Sequence, residues 1–530
     1  MLCAGPHRTS GAQRIDAVLH NPMLWLHFQL GGAWRRILIA TAVVVAMQLA
    51  MVGLMLDDRS SALTFAMQAC VGLLTVLQFG TLFLHGNLTI LRAVSRDAQT
   101  RMIESHRLSP ISNLSGALGY VIGPNIHTLM FSGMLLINTA CCIAIGDRTL
   151  GFMLILQAYA IWLAVMIWSF NALIALSFAG SSGFKPNIFM VGFALGPLQP
   201  AVPGIAVILG LANLGQLISR GPLGPNPAQF ALDMLSVLPL QAILTAIFIY
   251  GCSRKFRGQH IPSIPVWTGL LLVLVLSVAC SLGVAWAQQI DQQLSGLFLF
   301  NWTADLLPRE RVGVVFGLSI LGVGMVGLHP ILVAAFERRR DRLARGRGDS
   351  PVQPPAREAL VALAVVALTC GVFGAGMLLQ SIYLDVPLTE LTLTGRMLLS
   401  AAALLAVLLT CADVGRLAYL RRPSCTVMLM VWLAISWLGP LLVSAVLVTA
   451  GAEPMLSESA LRFCPLVMLP GIWADLPEGR ESINIAMTIL PIAVWFSLAA
   501  IVHLLVNLRE AAVQRSEQPT GQPLARPVET

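Results

Sequence analysis

Arg96, Asp97, Arg101, Glu104 and Arg107 gather charge-bearing side chains in the stretch between two long apolar runs. Alternating bases and acids at helical spacing suit electrostatic docking, not bond-making chemistry. Patterns that make bonds are absent. The sequence holds no GxxxxGK[ST] phosphate loop, no HExxH, no GxSxG and no paired DxD at a membrane face. The adjacent pair Cys141–Cys142 lacks metal-ligand spacing, and most cysteines sit inside apolar runs, which favours buried free thiols. Asp291, Asp305, Glu453, Glu458 and Asp475 carry acid in other loops without catalytic spacing, so ordinary solvated loops are expected there.

The elements that must position this cluster are membrane helices. Hydrophobic residues make up 57% of the 530 and charged residues 11%, and mean hydropathy is +0.79. Soluble proteins carry roughly 25% charged residues. A span needs about 20 apolar residues. Twelve stretches qualify: Ile37–Leu56, Ala62–Leu84, Leu118–Ile145, Gly151–Ala179, Asn187–Leu217, Phe230–Tyr250, Val266–Ala287, Val312–Phe336, Leu360–Leu379, Met397–Leu420, Val427–Thr449 and Ile483–Val506. The expected fold is all-α, a polytopic transmembrane helix bundle of about 12 spans in two six-helix halves.

Net charge is +8, and lysine occurs only at Lys185 and Lys255. Basic residues collect before the first span and in every second loop, around Arg92–Arg107, Lys185, Arg254–Arg257, Arg338–Arg347 and Arg416–Arg422. The positive-inside rule then places both termini in the cytoplasm of a cell whose plasma (inner) membrane holds the chain. The basic excess marks contact with anionic lipid in the bilayer, not nucleic acid. The polar N-terminus has no compact apolar core of a cleavable signal, so the first span is expected to serve as its own.

Within the charged stretch, residues 94–108 are compatible with one amphipathic helix, with Ala98, Met102 and Ile103 on its apolar face. Ser109-Pro110 ends it. A rigid helix joined to two spans can transmit force.

This stretch resembles the membrane subunits of ABC type-2 exporters. Their loop before the third span reads RE-x-GT-x-E-LL-x-TP-x-S. The matching positions are Arg96, Asp97, Thr100, Glu104, Leu108, Pro110 and Ser112, followed by Gly119 and Gly123, and Arg101 lies within the same segment. Gln99 replaces the family's glycine, and Ser105, His106 and Arg107 interrupt its leucine run. The resemblance implies a coupling helix at 94–110 that docks on a separate ABC ATP-binding subunit. It also implies that ATP and Mg are held on that partner, with no cofactor or metal on this chain, and that the chain pairs with itself or another permease. Asn21-Pro22-Met23-Leu24-Trp25 and Trp34-Arg35-Arg36 are similar to the family's interfacial elbow, although an ordinary surface anchor explains them equally.

The expected organisation follows: an N-terminus with elbow at 1–36, a six-span permease-like domain at 37–257, spans seven and eight within 258–336, a basic cytoplasmic linker at 337–358, spans nine to twelve within 359–508, and a disordered tail at 509–530. Pro197, Pro200 and Pro203 should bend or break the fifth span, as a gate, a re-entrant element or a simple kink. Intramembrane Gln68, Gln78, Asn125, His127, Asn138, Gln157, Asn171 and His329 should hydrogen-bond between helices, and Asp413 should pair with Arg416 three residues on. Two further readings stand beside the exporter permease: a 12-span secondary transporter, and a multispan enzyme acting on lipid-linked substrates.

Overall fold

The computed structural model describes residues 33–55, 60–108, 111–145, 151–178, 227–258, 261–290, 308–344, 356–384, 390–420, 436, 439–440, 442–450, 460–474 and 481–517. Every regular element among them is helical. In hydrocarbon a helix satisfies all its backbone groups internally, and runs this apolar leave the chain no other local solution. The fifth expected span, with Pro197, Pro200 and Pro203, lies outside the described residues, as do Pro110 and most of the eleventh span.

Among the described residues, eight helices are long and apolar enough to cross a membrane: Ala66–Gln99, Asn113–Ile145, Gly151–Ser177, Met234–Arg257, Phe316–Ala335, Arg357–Gly376, Thr394–Arg416 and Ile489–Arg509. Two shorter apolar helices, Leu38–Ala50 and Val266–Leu282, accompany them. Large apolar side chains such as Leu49, Val76, Leu84 and Leu398 face outward. A soluble fold would bury such residues, and a bilayer solvates them. The chain is a multi-pass α-helical membrane protein.

It divides into two compact units, one carrying the described residues up to Ile264 and the other those from Pro265 onward. The first unit contains α1 (Ala33–Met55), α2 (Ser60–Phe79), a π-helical turn at Gly80–His85, α3 (Gly86–Gln99), α4 (Met102–Leu108), α5 (Asn113–Ile122), a 3-10 turn at Gly123–Asn125, α6 (Ile126–Ile145), α7 (Gly151–Phe178) and α8 (Pro227–Arg257). Here α7 packs on α8 and α3, α2 packs on α6, and α5 packs on α8. The second unit contains α9 (Val266–Ile290), α10 (Pro308–Ala344), α11 (Ala356–Leu384), α12 (Glu390–Leu420), α13 (Pro465–Ala474) and α14 (Glu481–Glu517). In it α10 packs on α9, α11, α12 and α13, and α14 lies along α12. Its core gathers Phe316, Ile320, Phe373, Leu404 and Trp495.

Three boundaries differ from the sequence reading. Helix α10 runs through the arginine cluster to Ala344, and α11 begins at Ala356, both within the stretch expected as a linker. Helix α14 continues to Glu517, past the point where the polar composition suggested a disordered tail. Charged side chains on a helix that leaves the bilayer are solvated without unwinding it, so polarity alone misplaces its end. The third difference lies in the charged stretch itself.

Candidate functional site: the charged helix and the ends of its neighbouring spans

The expected single helix over 94–108 is two helices. α2, the π turn and α3 form one continuous rod to Gln99. Thr100 ends it, its hydroxyl donating to the Arg96 carbonyl at 2.9 Å. Arg101 then adopts φ 58°, a left-handed conformation that terminates a helix. α4 restarts at Met102. The break resets the apolar face. Gly86, Ile90 and Val94 form the buried stripe of α3 at four-residue spacing. Ile103 is buried in α4, whereas Met102, expected beside it, is 44% exposed.

α4 is clamped to the end of α8 by one side chain. Arg107 donates from Nε to the Phe256 carbonyl and from an Nη to the Lys255 carbonyl, each at 2.9 Å. These are terminal carbonyls of α8, which lack partners within their own helix. A guanidinium supplies fixed, forked donors, and the positive charge favours a helix C-terminus. The other Nη meets Glu104 at 3.1 Å. A second tie joins α3 to α5, where the Tyr120 hydroxyl donates to Asp97 Oδ2 at 2.9 Å. The Tyr120 ring also meets the His106 ring edge-on at 6.3 Å and the Phe256 ring at 6.1 Å.

Ser112 opens α5, accepting from the Ser115 amide at 3.1 Å as an N-cap should. Gly116 follows on the face that meets α8. A Cβ there would lie 2.4 Å from the Phe256 ring, so the close approach of α5 and α8 requires glycine.

The sequence-singled residues therefore separate into two groups. Asp97, Thr100, Arg101 and Ser112 shape or tether the segment. Arg96, Glu104 and Leu108 are exposed, Leu108 at 88%. With Met102 they leave an outward face that is part charged and part apolar. Tyr120, Lys255 and Phe256 carry contacts the sequence reading did not assign to this site. Arg107 appeared there within the charged cluster and as a departure from the family's leucine run, with no contact assigned to it.

Behind this segment, polar groups cross-link the first unit. The Gln157 amide donates to Thr75 Oγ1 at 2.9 Å and to Thr139 Oγ1 at 3.0 Å. Gln78 donates to the Gln157 carbonyl at 3.2 Å. Asn171 donates to Asn87 at 2.7 Å, and Asn125 donates to the Gly86 carbonyl at 3.0 Å. Trp168 donates from its indole to the Leu82 carbonyl, inside the π turn, at 3.0 Å. A π turn disrupts the regular i to i−4 ladder, and this donor meets a carbonyl within it.

Comparison with known proteins gave no match to a family model, to a curated protein or to a solved structure.

The second unit carries its own polar cluster. Arg416 lies 3.0 Å from Asp413, as the i, i+3 spacing suggested, and 3.5 Å from Glu358. His503 Nδ1 lies 3.0 Å from the other Asp413 oxygen. Thus α11, α12 and α14 meet through four titratable side chains, three of them buried. Glu358 stood at the edge of the expected linker and His503 near the end of the twelfth span. Neither position shows in sequence that it meets Asp413. At the same end, Arg357 and Glu337 pair at 3.0 Å and join the start of α11 to α10.

Proposed function

We propose that this chain is the transmembrane permease subunit of an ATP-driven ABC exporter. In this reading it has about twelve spans, lies in the plasma (inner) membrane, and keeps both termini in the cytoplasm. ATP hydrolysis belongs to a separate ABC ATP-binding subunit that carries ATP and Mg. Two copies of this chain, or this chain and another permease, present two coupling segments to two ATPases.

One observation carries the reading. The exposed segment from Arg96 to Leu108 is continuous with the second span through α3 and is fastened to the end of α8 by Arg107. A push on Glu104, Arg101 or Leu108 from a docked partner has stiff paths into two membrane helices. α5, the start of the next span, is tied in through Tyr120 and Asp97. The mechanism is then mechanical. Closure of the ATPase pair displaces α4, α3 and α8 tilt with it, and access to the pathway switches sides.

Affinity purification of the full chain in mild detergent tests the proposal. Co-purification of a soluble ATPase is the expected result. Replacing Arg101 and Glu104 together should uncouple partner ATP hydrolysis from transport and leave membrane insertion intact. Wild-type coupling in that double variant would sink the role assigned to the segment. A complex with one copy of this chain and two ATPases would remove the pairing. Reporter fusions at each terminus test the orientation, with activity expected only from cytoplasmic reporters.

A second reading, the 12-span secondary transporter, draws on the Glu358, Asp413, Arg416 and His503 cluster, because buried titratable groups in spans mark ion and substrate pathways. Transport that collapses with a protonophore and survives ATP depletion would favour it.

A further inference from the structure

The carboxylate cluster of the second unit borders a cavity of about 320 Å³. Glu358, Asp413 and His503 contribute its polar lining, and Ile331, Leu409 and Phe496 its larger apolar walls. Arg416 holds Asp413 Oδ1 at 3.0 Å and lies near Glu358 at 3.5 Å, yet does not line the cavity. The cavity therefore presents two carboxylates and an imidazole, and keeps the guanidinium behind them. Each carboxylate oxygen can accept more than one contact, so engagement with Arg416 and His503 leaves Asp413 capacity for a third. An anion would meet carboxylates first and be repelled. A neutral apolar molecule would make no polar contact with the carboxylates and the imidazole on the lining. A strongly hydrated inorganic ion would find mostly hydrocarbon around the remaining walls.

The chemistry that satisfies both halves of the lining is a monovalent organic cation on an apolar body. We propose that this cavity is a binding site for such a cation, an ammonium carried by a small amphiphile. The ammonium sits against Asp413 and Glu358, and the apolar body lies along Ile331, Leu409 and the Phe496 ring, whose face also attracts cations. Small-ligand pockets begin at about this volume. Ala359, Phe496 and Ala500 on the lining are exposed, so the cavity opens on the outer surface of this unit, where an amphiphile dissolved in the bilayer or the amine headgroup of a lipid can enter. The proposal is independent of the coupling role assigned to the first unit.

The test uses the full chain in nanodiscs of phosphatidylglycerol, with empty discs as the blank and labelled benzyltrimethylammonium as the probe in equilibrium dialysis. Saturable binding by the wild type is expected. Asp413→Asn should weaken it about tenfold or more, the loss of one ion pair with a cation that has no N–H to donate. Ala500→Phe, which fills the exposed rim and replaces no charged group, should weaken it comparably at an unchanged Tm. Ala359→Leu at the same rim replaces that variant if it fails to fold. Discs that also contain phosphatidylethanolamine separate the two sources of the ammonium. Competition identifies the lipid headgroup, and undiminished binding identifies the free amphiphile. Absence of saturable binding by the wild type, or wild-type affinity in a folded Asp413→Asn or rim variant, overturns the proposal.

Discussion

Arg107 Nε donates to the main-chain oxygen of Phe256 at 2.9 Å, across 149 residues of sequence. With its companion bond to Lys255, that contact makes α4 part of the α8 terminus. It converts an exposed surface helix of seven residues, too short to be stable alone, into a fixed element.

Arg107→Ala should therefore free α4 without unfolding the bundle. Hydrogen bonds from a charged donor contribute about 1.5–3 kcal/mol each, and these are partly buried. Hydrogen exchange at residues 102–108 should rise strongly while exchange in α7 stays unchanged. Arg107→Lys should restore only part of the protection, since an ammonium lacks the fork that reaches two carbonyls. Unchanged exchange in the alanine variant would contradict the clamp.

Gly116→Ala should destabilise the first unit by about 1–3 kcal/mol, the usual cost of overpacking, because its Cβ would stand 2.4 Å from the Phe256 ring. The double variant Gly116→Ala with Phe256→Leu should recover part of the loss. Denaturant unfolding of the four members of this cycle measures the coupling. Additive losses would show that the two residues do not meet.

Trp168→Phe removes the donor to the Leu82 carbonyl, and because a phenyl ring is smaller than an indole it also leaves a void at this fully buried position. Interhelical hydrogen bonds in membranes average about 0.6 kcal/mol and reach about 1.7, and the void adds to that loss, so a clear fall in Tm is expected. The loss should localise to the π turn, seen as faster exchange at residues 80–86. The larger variant Gly86→Ala should cost more, since its Cβ would lie 2.6 Å from the Trp168 ring.

Arg416→Met should be severe, on the order of 3–5 kcal/mol for breaking a buried ion pair. It leaves the buried Asp413 and Glu358 carboxylates beside one another without the guanidinium between them. Adding Asp413→Leu to that variant should recover part of the stability, because it removes one of the two buried carboxylates that faced Arg416. A double variant no more stable than the single one would show that the pair is not the source of the loss.

Much of the fold was legible in the sequence because lipid imposes a simple rule. Twenty apolar residues with no charge must cross as a helix, and the periods from Gly151 to Phe178 or from Ile489 to Val506 announce this without any partner. The Asp413–Arg416 pair was legible for a similar reason, as the two lie one helical turn apart. The segment after the second span was legible as charged, helical and bounded, but not as broken. Arg101 has no residue type that signals a left-handed conformation, and only its surroundings select one. Polarity also hid the ends of α10 and α14, because a helix in water and a disordered tail share a composition.

Sequence by itself determined that this protein is an α-helical membrane protein with one unusual charged segment. Local forces, burial of apolar side chains and satisfaction of backbone groups within each helix, suffice for that. The tertiary structure decided which charges matter together. Arg107 finds the open carbonyls of α8, Tyr120 finds Asp97, and His503 finds Asp413 across 90 residues. Hydrogen bonds and ion pairs act over about 3 Å, and distance along a chain carries no information about such proximity once helices have packed.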